Sequence, residues 1–162
     1  LDVAFFAGPV QEPDIEVIPL GADPFVAVLA NDEYSAELTS YDPMLLNGIG
    51  VIGENGGGAQ LLIENGLRAL GVSVQYVFRT NDNGAMQAMA RNGLAPAIMP
   101  LLAVDAHDPN VRVLPLNPPI PPRQILIALP RPALRTAAAT RFAQIAVEVG
   151  QSRLNAGGAI PV

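Results

Sequence analysis

AMQAMARNGLAPAIMP, residues 85–100, decides how this chain is read. It sets a helix rich in small residues, a glycine turn and a short apolar strand ending in proline in direct succession. The pattern predicts a helix over about 83–92, closed by Gly93 at the position where a left-handed cap residue belongs, then a strand within LAPAIMP (94–100). Ala85, Ala88, Ala90, Gly93, Ala95 and Ala97 are small enough for the helix to lie close against a sheet.

Working upstream, TNDNG breaks a strand VQYVF (74–78), and AQLLIENGLRAL (59–70) reads as a helix with leucine or isoleucine at 62, 63, 67 and 70 and Gly71 as its stop. Before it stand the glycine loop ENGGG and a strand IGVIG (49–53). Residues 49–99 therefore read strand, helix, strand, helix, strand, which implies right-handed crossovers and a parallel sheet. LDVAFF (1–6), IEVIPL (15–20) and PFVAVLA (24–30) are expected strands, the last bounded by GADP and NDE. Ser40 and Asp42 ahead of Pro43 predict one short helical turn. Downstream, HDPN (107–110) is a turn, VRVLPL (111–116) a strand, NPPIPP (117–122) a stiff connector and RQILIALP (123–130) a strand. A helix over 134–149 is expected to bury Leu134, Ala138, Phe142, Ile145 and Val149 on one face, with a loose tail at 151–162.

At 162 residues, half of them apolar, the chain can bury a substantial core. A net charge of −6, with all nine basic residues arginine, argues against a chain that holds nucleic acid by itself. Cysteine is absent, which removes disulfides, thiolate metal sites and a cysteine nucleophile. Prolines, glycines or charges interrupt every long apolar run, so no transmembrane helix is expected. A buried strand at residue 1, with no basic segment before it, suggests a piece of a longer domain.

GIGVIG (48–53) fits the spacing of a dinucleotide fingerprint, but its glycines sit inside a strand rather than between a strand and a helix, and the match is rejected. His107, the only histidine, lies between Asp105 and Asp108 in an expected exposed turn, with no second histidine to complete a metal site. Ser35, Ser40, Ser73 and Ser152 lie in no nucleophile motif. No metal, cofactor or catalytic group is expected. Two loops stand out: Glu54, Asn55, Gly56, Gly57 and Gly58, and Thr80, Asn81, Asp82 and Asn83. Each runs from a strand end into a helix start, on the edge of a parallel sheet where ligands bind. Free N–H groups there favour an anionic or strongly polar ligand, although Glu54 and Asp82 oppose a purely anionic one. The competing reading is ordinary loop chemistry, with Thr80 or Asn81 as an N-cap; from the residues alone the two stand level.

The same residues resemble a family. LDVAFF is similar to the "l-D-l-a-i" strand of LysR-type transcriptional regulators, with matching spacing to PFVAVLA. MARNGLAPAIMP resembles that family's "l-V-a-a-G-l-G-i-a-i-l-P", and Arg131 with the following helix resembles its closing segment. Arg91-Asn92 and Ala95-Pro96 depart from the family pattern. The resemblance covers about residues 1–150. It implies an α/β, two-lobe fold of the type II periplasmic-binding-protein kind, each lobe a mixed sheet flanked by helices. Lobe I would be 1–28 with 117–150, incomplete at its start, and lobe II 29–116. It further implies a non-enzymatic, cytoplasmic effector-binding domain. A small metabolite, a carboxylate in many members, would bind between the lobes at Glu54–Gly58, Thr80–Asp82, Phe6 and Ala7. DNA would be reached only through a winged helix-turn-helix absent from these residues, and the whole protein would be a homo-oligomer, helix 59–70 being the candidate contact. A periplasmic-type solute-binding protein of the same fold is the alternative.

Overall fold

The structure, a computed structural model, describes residues 2–7 and 12–154, apart from the side chain of Arg153. Leu1 and the tail beyond Leu154 lie outside the described residues. Contacts divide the described residues into two compact units, one reaching from the start to Asp23 and from Arg123 to Leu154, the other running from Pro24 to Pro122.

In the first unit, β1 (Ala4–Ala7), β2 (Ile15–Asp23) and β8 (Arg123–Pro130) form a sheet in the order β1-β8-β2, antiparallel throughout, where a mixed sheet is expected of each lobe. The helix α4 (Ala137–Leu154) covers it. Leu20, Ile127, Leu129 and Ala143 form the core, with Ile18, Ile125, Ala146 and Val147 packed around them.

The expected face of α4 is not the buried one. Ala139 and Ala143 are buried, whereas Leu134, Phe142, Ile145 and Val149 are 70%, 48%, 44% and 53% exposed, and Ala138 is exposed too. The helix lies chiefly over β2 and approaches it through small residues: a Cβ at Gly150 would stand 2.9 Å from the Leu20 carbonyl oxygen. Close approach through alanine and glycine excludes the larger stripe, and Phe142 instead meets Phe5 of β1 edge to face, ring centroids 5.9 Å apart. The helix also begins after Leu134, which ends a separate 3-10 turn, and runs to Leu154 through the first residues of the expected loose tail. Thr136 caps its start, its hydroxyl accepting from the Ala139 amide at 3.1 Å.

The second unit contains β3 (Phe25–Ala30), α1 (Glu33–Ala36), β4 (Gly50–Gly53), α2 (Gly58–Ala69), β5 (Gln75–Arg79), α3 (Asn83–Arg91), β6 (Ala97–Pro100) and β7 (Val111–Pro115). Its sheet runs β5-β4-β6-β3-β7. As the alternation predicts, β4 is parallel to both β5 and β6, while β3 is antiparallel to β6 and β7. One face of the sheet buries Phe25, Ala27, Val51 and Ile98 against Ile63 and Leu67 of α2. The other buries Val26, Val28, Ile52 and Met99 against Met86 and Ala90 of α3. Strands buried on both faces read as continuous apolar runs, which explains FVAVLA and AIMP. The expected divisions at 28/29 and 116/117 fall inside this unit, because all of β3 pairs within its sheet and Ile120 of the connector packs into its core.

The single turn at Pro43–Leu46 forms as expected, with the Asp42 carboxylate accepting from the Met44 amide at 2.9 Å. The short α1 has no counterpart in the sequence reading, where NDE only ended a strand. Asp32 and Ser35 build a reciprocal capping box that starts it: the Ser35 amide donates to Asp32 Oδ1 at 2.8 Å, and the Asp32 amide to Ser35 Oγ at 3.0 Å.

Candidate functional site

Since β4 and β5 are parallel neighbours, their C-terminal ends open on one edge of the sheet, and the loops that follow them meet there. The Thr80 amide donates to the Gly53 carbonyl at 3.0 Å, extending the ladder one residue past the strands. The Asn55 amide donates to Asn81 Oδ1 at 3.0 Å, which ties the two loops together. Asn55, Gly56, Gly57 and Gly58 are exposed, as are Asn81 and Asp82.

The two helix starts differ. Asp82 is the N-cap of α3, its carboxylate accepting from the Ala85 amide at 3.1 Å, while its own amide donates to Thr80 Oγ1 at 3.2 Å. The capping role expected of Thr80 or Asn81 thus belongs to Asp82. At α2 the N-cap is Gly57, and no side chain caps the helix. First-turn amides without a side-chain acceptor are open to one from a ligand. Gly56 and Gly57 have φ of 106° and 116°, backbone that only glycine adopts without strain.

Behind the first loop lies a polar network that the sequence reading did not single out. Gln60, in the first turn of α2, is 2% exposed. Its Oε1 accepts from the Glu54 amide at 2.8 Å, and its Nε2 donates to Glu64 Oε1 at 2.9 Å and to the Tyr76 hydroxyl at 2.6 Å. From β5, Arg79 donates to the Glu54 carbonyl at 3.0 Å and to Glu64 Oε1 at 3.0 Å, with its guanidinium 3.8 Å above the Tyr76 ring centroid. The Gln60 hydrogen bond, and then Arg79, hold the Glu64 carboxyl below its ordinary range. Burial, reinforced by the Glu64 charge, pushes the Tyr76 hydroxyl up to about 12. The only sequence signal was a glutamine and a glutamate four apart on a helix that is otherwise apolar on that side.

Of the glycines of GIGVIG, Gly53 makes room for this layer, whereas Gly50 makes room for Val77 beside it. A Cβ at Gly53 would stand 2.5 Å from Tyr76 Cε1, and one at Gly50 2.3 Å from Val77 Cγ1. Phe6 and Ala7 end β1, in the other unit. His107 is exposed in its turn, its amide donating to Asp105 Oδ1 at 3.0 Å. Among the described residues no three His, Cys, Asp or Glu side chains are grouped so as to hold a metal ion. No helix among them is long and apolar enough to cross a membrane.

Solved structures share this fold. The effector-binding domain of QuiR in complex with shikimate superposes with a TM-score of 0.77 at 23% identity, over 94% of this chain and 73% of that one. The regulatory domain of Synechocystis PCC6803 CcmR in complex with 2-PG gives 0.76 at 19% identity, over 93% and 74%. HinK, a LysR family transcriptional regulator from Pseudomonas aeruginosa, gives 0.77 at 17% identity, over 94% of this chain and 52% of HinK. The chain therefore spans about half the length of HinK. No curated protein sequence matches it. The family model for the LysR substrate binding domain matches residues 1–151, and the chain belongs to that family of regulator domains.

Proposed function

We infer that this chain is the effector-binding domain of a LysR-type transcriptional regulator, and that the edge formed by Glu54–Gly58 and Thr80–Asp82 receives a small metabolite. The observation that carries the reading is the pairing of two unlike helix starts on that edge. Asp82 satisfies the first turn of α3, whereas α2 opens with Gly57 and Gly58 and no side-chain cap. An anionic oxygen from a ligand is the complement of such an opening, and a carboxylate fits it. QuiR bound to shikimate, a carboxylate, shows that a domain of this fold takes such a molecule.

Glu54 and Asp82 shape the choice. Asp82 directs its charge into its own helix, so it opposes an incoming anion less than its position in the sequence suggests. Polar, hydroxyl-bearing carboxylates suit an edge that also offers Asn55, Thr80 and Asn81. Phe6 and Ala7 are proposed as further contacts on the first unit, following the family pattern. Binding would favour one conformation of the domain by differential affinity, and that bias would reach the DNA-binding part of the whole protein. Association of two copies through the exposed side of α2, where Leu61 is 58% exposed, completes the proposal. A solute-binding protein of the same fold is not favoured, since the matching family model is that of LysR domains.

The test is a thermal-shift and calorimetric screen of small carboxylates. A ligand at 100 times its Kd adds ~2.7 kcal/mol of stability, a shift of several degrees. Gly57→Val, which strains the helix start at a φ of 116°, should abolish that shift. A screen in which no carboxylate stabilises the protein would remove this reading of the edge.

A further inference from the structure

Glu54 is held by both of its peptide groups. Gln60 Oε1 takes the amide proton and Arg79 binds the carbonyl oxygen, so the residue that opens the Glu54–Gly58 loop is clamped from α2 and from β5 at once. The clamp has one orientation only. Glu54 N–H can only donate, so Gln60 must present its oxygen to it. Glu64, held ionised in the network, can only accept, so Gln60 must present its nitrogen there. Tyr76 takes the second Gln60 proton and carries the Arg79 guanidinium on its ring. Every polar arm of Gln60 is engaged, and its burial keeps water from replacing any of them.

The loop beyond Glu54 lacks such holds. Its three glycines carry no side chains; apart from the first helical hydrogen bond, from the Leu61 amide to the Gly57 carbonyl, it is tied by the Asn55 amide to Asn81 Oδ1. Glycine-rich backbone loses most by being ordered, so a loop that must present free amides to a ligand needs its conformation set from outside. We propose that Gln60 is a positioning residue for the effector: supported by Tyr76, Glu64 and Arg79, it fixes the backbone of Glu54 and thereby presets the glycine loop and the open start of α2. This rests on the reading of that edge as the effector site. It adds residues that need not touch the ligand and that set its affinity through the loop.

Two variants test it. Gln60→Leu removes the acceptor for the Glu54 amide, and Tyr76→Phe removes one hydroxyl while keeping the ring under Arg79. Residue-resolved amide exchange is measured without ligand, together with melting temperature. The expected result is exchange at Glu54 and the following loop at least 10-fold faster in both variants, with Val51 and Ile98 in the core unchanged. Unchanged exchange at Glu54, or faster exchange spread evenly through the core, would overturn the positioning role. Binding is read separately with a panel of shikimate, benzoate and succinate. A wild type that binds none of the panel counts against the effector reading, while loop exchange still decides the positioning. If the wild type binds a panel member and both variants loosen the loop at unchanged affinity, the positioning falls and the effector reading stands.

Discussion

Arg123 and Asp23 form a forked ion pair at the last register position of β2 and β8, Nε and Nη2 lying 2.8 and 2.7 Å from Asp23 Oδ2. The Asp23 side chain is fully buried. The pair stands where the chain leaves the first unit for the second, before Pro24, and where it returns, after Pro122. The two crossings are thus fastened together at one level of one sheet. Removing Asp23 leaves the Arg123 guanidinium without this buried counter-charge. Asp23→Ala should therefore destabilise the protein by roughly 3–5 kcal/mol, the range for breaking a buried pair. Urea unfolding checks this, and a loss under about 1 kcal/mol, the level of a surface pair, would show that the clasp is dispensable.

Gly66 sets helix propensity against packing. Alanine in the middle of α2 should gain roughly 0.5–1 kcal/mol from propensity. Its Cβ would stand 2.7 Å from Ile120 Cβ, a buried and branched neighbour that cannot swing away. Overpacking of that kind costs roughly 1–3 kcal/mol, so packing wins. Gly66→Ala is expected to lower the melting temperature in thermal unfolding, and an unchanged or raised value would show that the Ile120 contact relaxes at no cost.

Asn81 links the two loops through a single acceptor. Asn81→Ala leaves the exposed Asn55 amide to water, so stability should change little while the loops lose their tie. A hydrogen bond worth about 1 kcal/mol predicts effector affinity falling about fivefold. Calorimetric titration with a carboxylate found in the screen measures it.

The Glu64 carboxyl sits below its ordinary value of 4.5 in the folded chain, first because Gln60 donates to it and next because of Arg79. A depressed folded value means that the unfolded chain binds more protons over that window. Stability is then present in full above about 4.5 and is lost as the pH falls through the folded value. Glu64→Gln should flatten this part of the acid limb, seen as a smaller fall in urea midpoint between about pH 5 and pH 3 than in the wild type. An unchanged slope would show that the network gains nothing from the Glu64 charge.

Much of the second unit was legible because its signals are local. Apolar runs flanked by glycine fixed β4, β5 and β6, and Gly71 and Gly93, at φ of 79° and 73°, stand just beyond α2 and α3 as expected. The face of α4 was not legible, because periodicity favoured the large side chains, while close packing on β2 selected Ala139, Ala143 and Gly150. Of the candidate site, the loops and their shared edge followed from strand order. The network behind them did not, since Gln60 meets Tyr76 only after β5 is laid beside β4. The capping assignment failed by one or two residues, as Asp82 competes with Thr80 and Asn81 for the same helix start.

The clasp also bears on the order in which the molecule assembles. Asp23 and Arg123 are 100 residues apart in sequence. Closing a loop of that length in a disordered chain costs about 4 kcal/mol of entropy before any strand pair forms. Phe25 and Ile120, near the two ends of the intervening segment, belong to one core cluster of the second unit. Once that contiguous unit is folded, its ends are already neighbours, and β2 finds β8 as though joined by a short turn. The discontinuous sheet is therefore expected to form second, with amide protection in β2 and β8 arriving after protection in β4 and β6 during refolding.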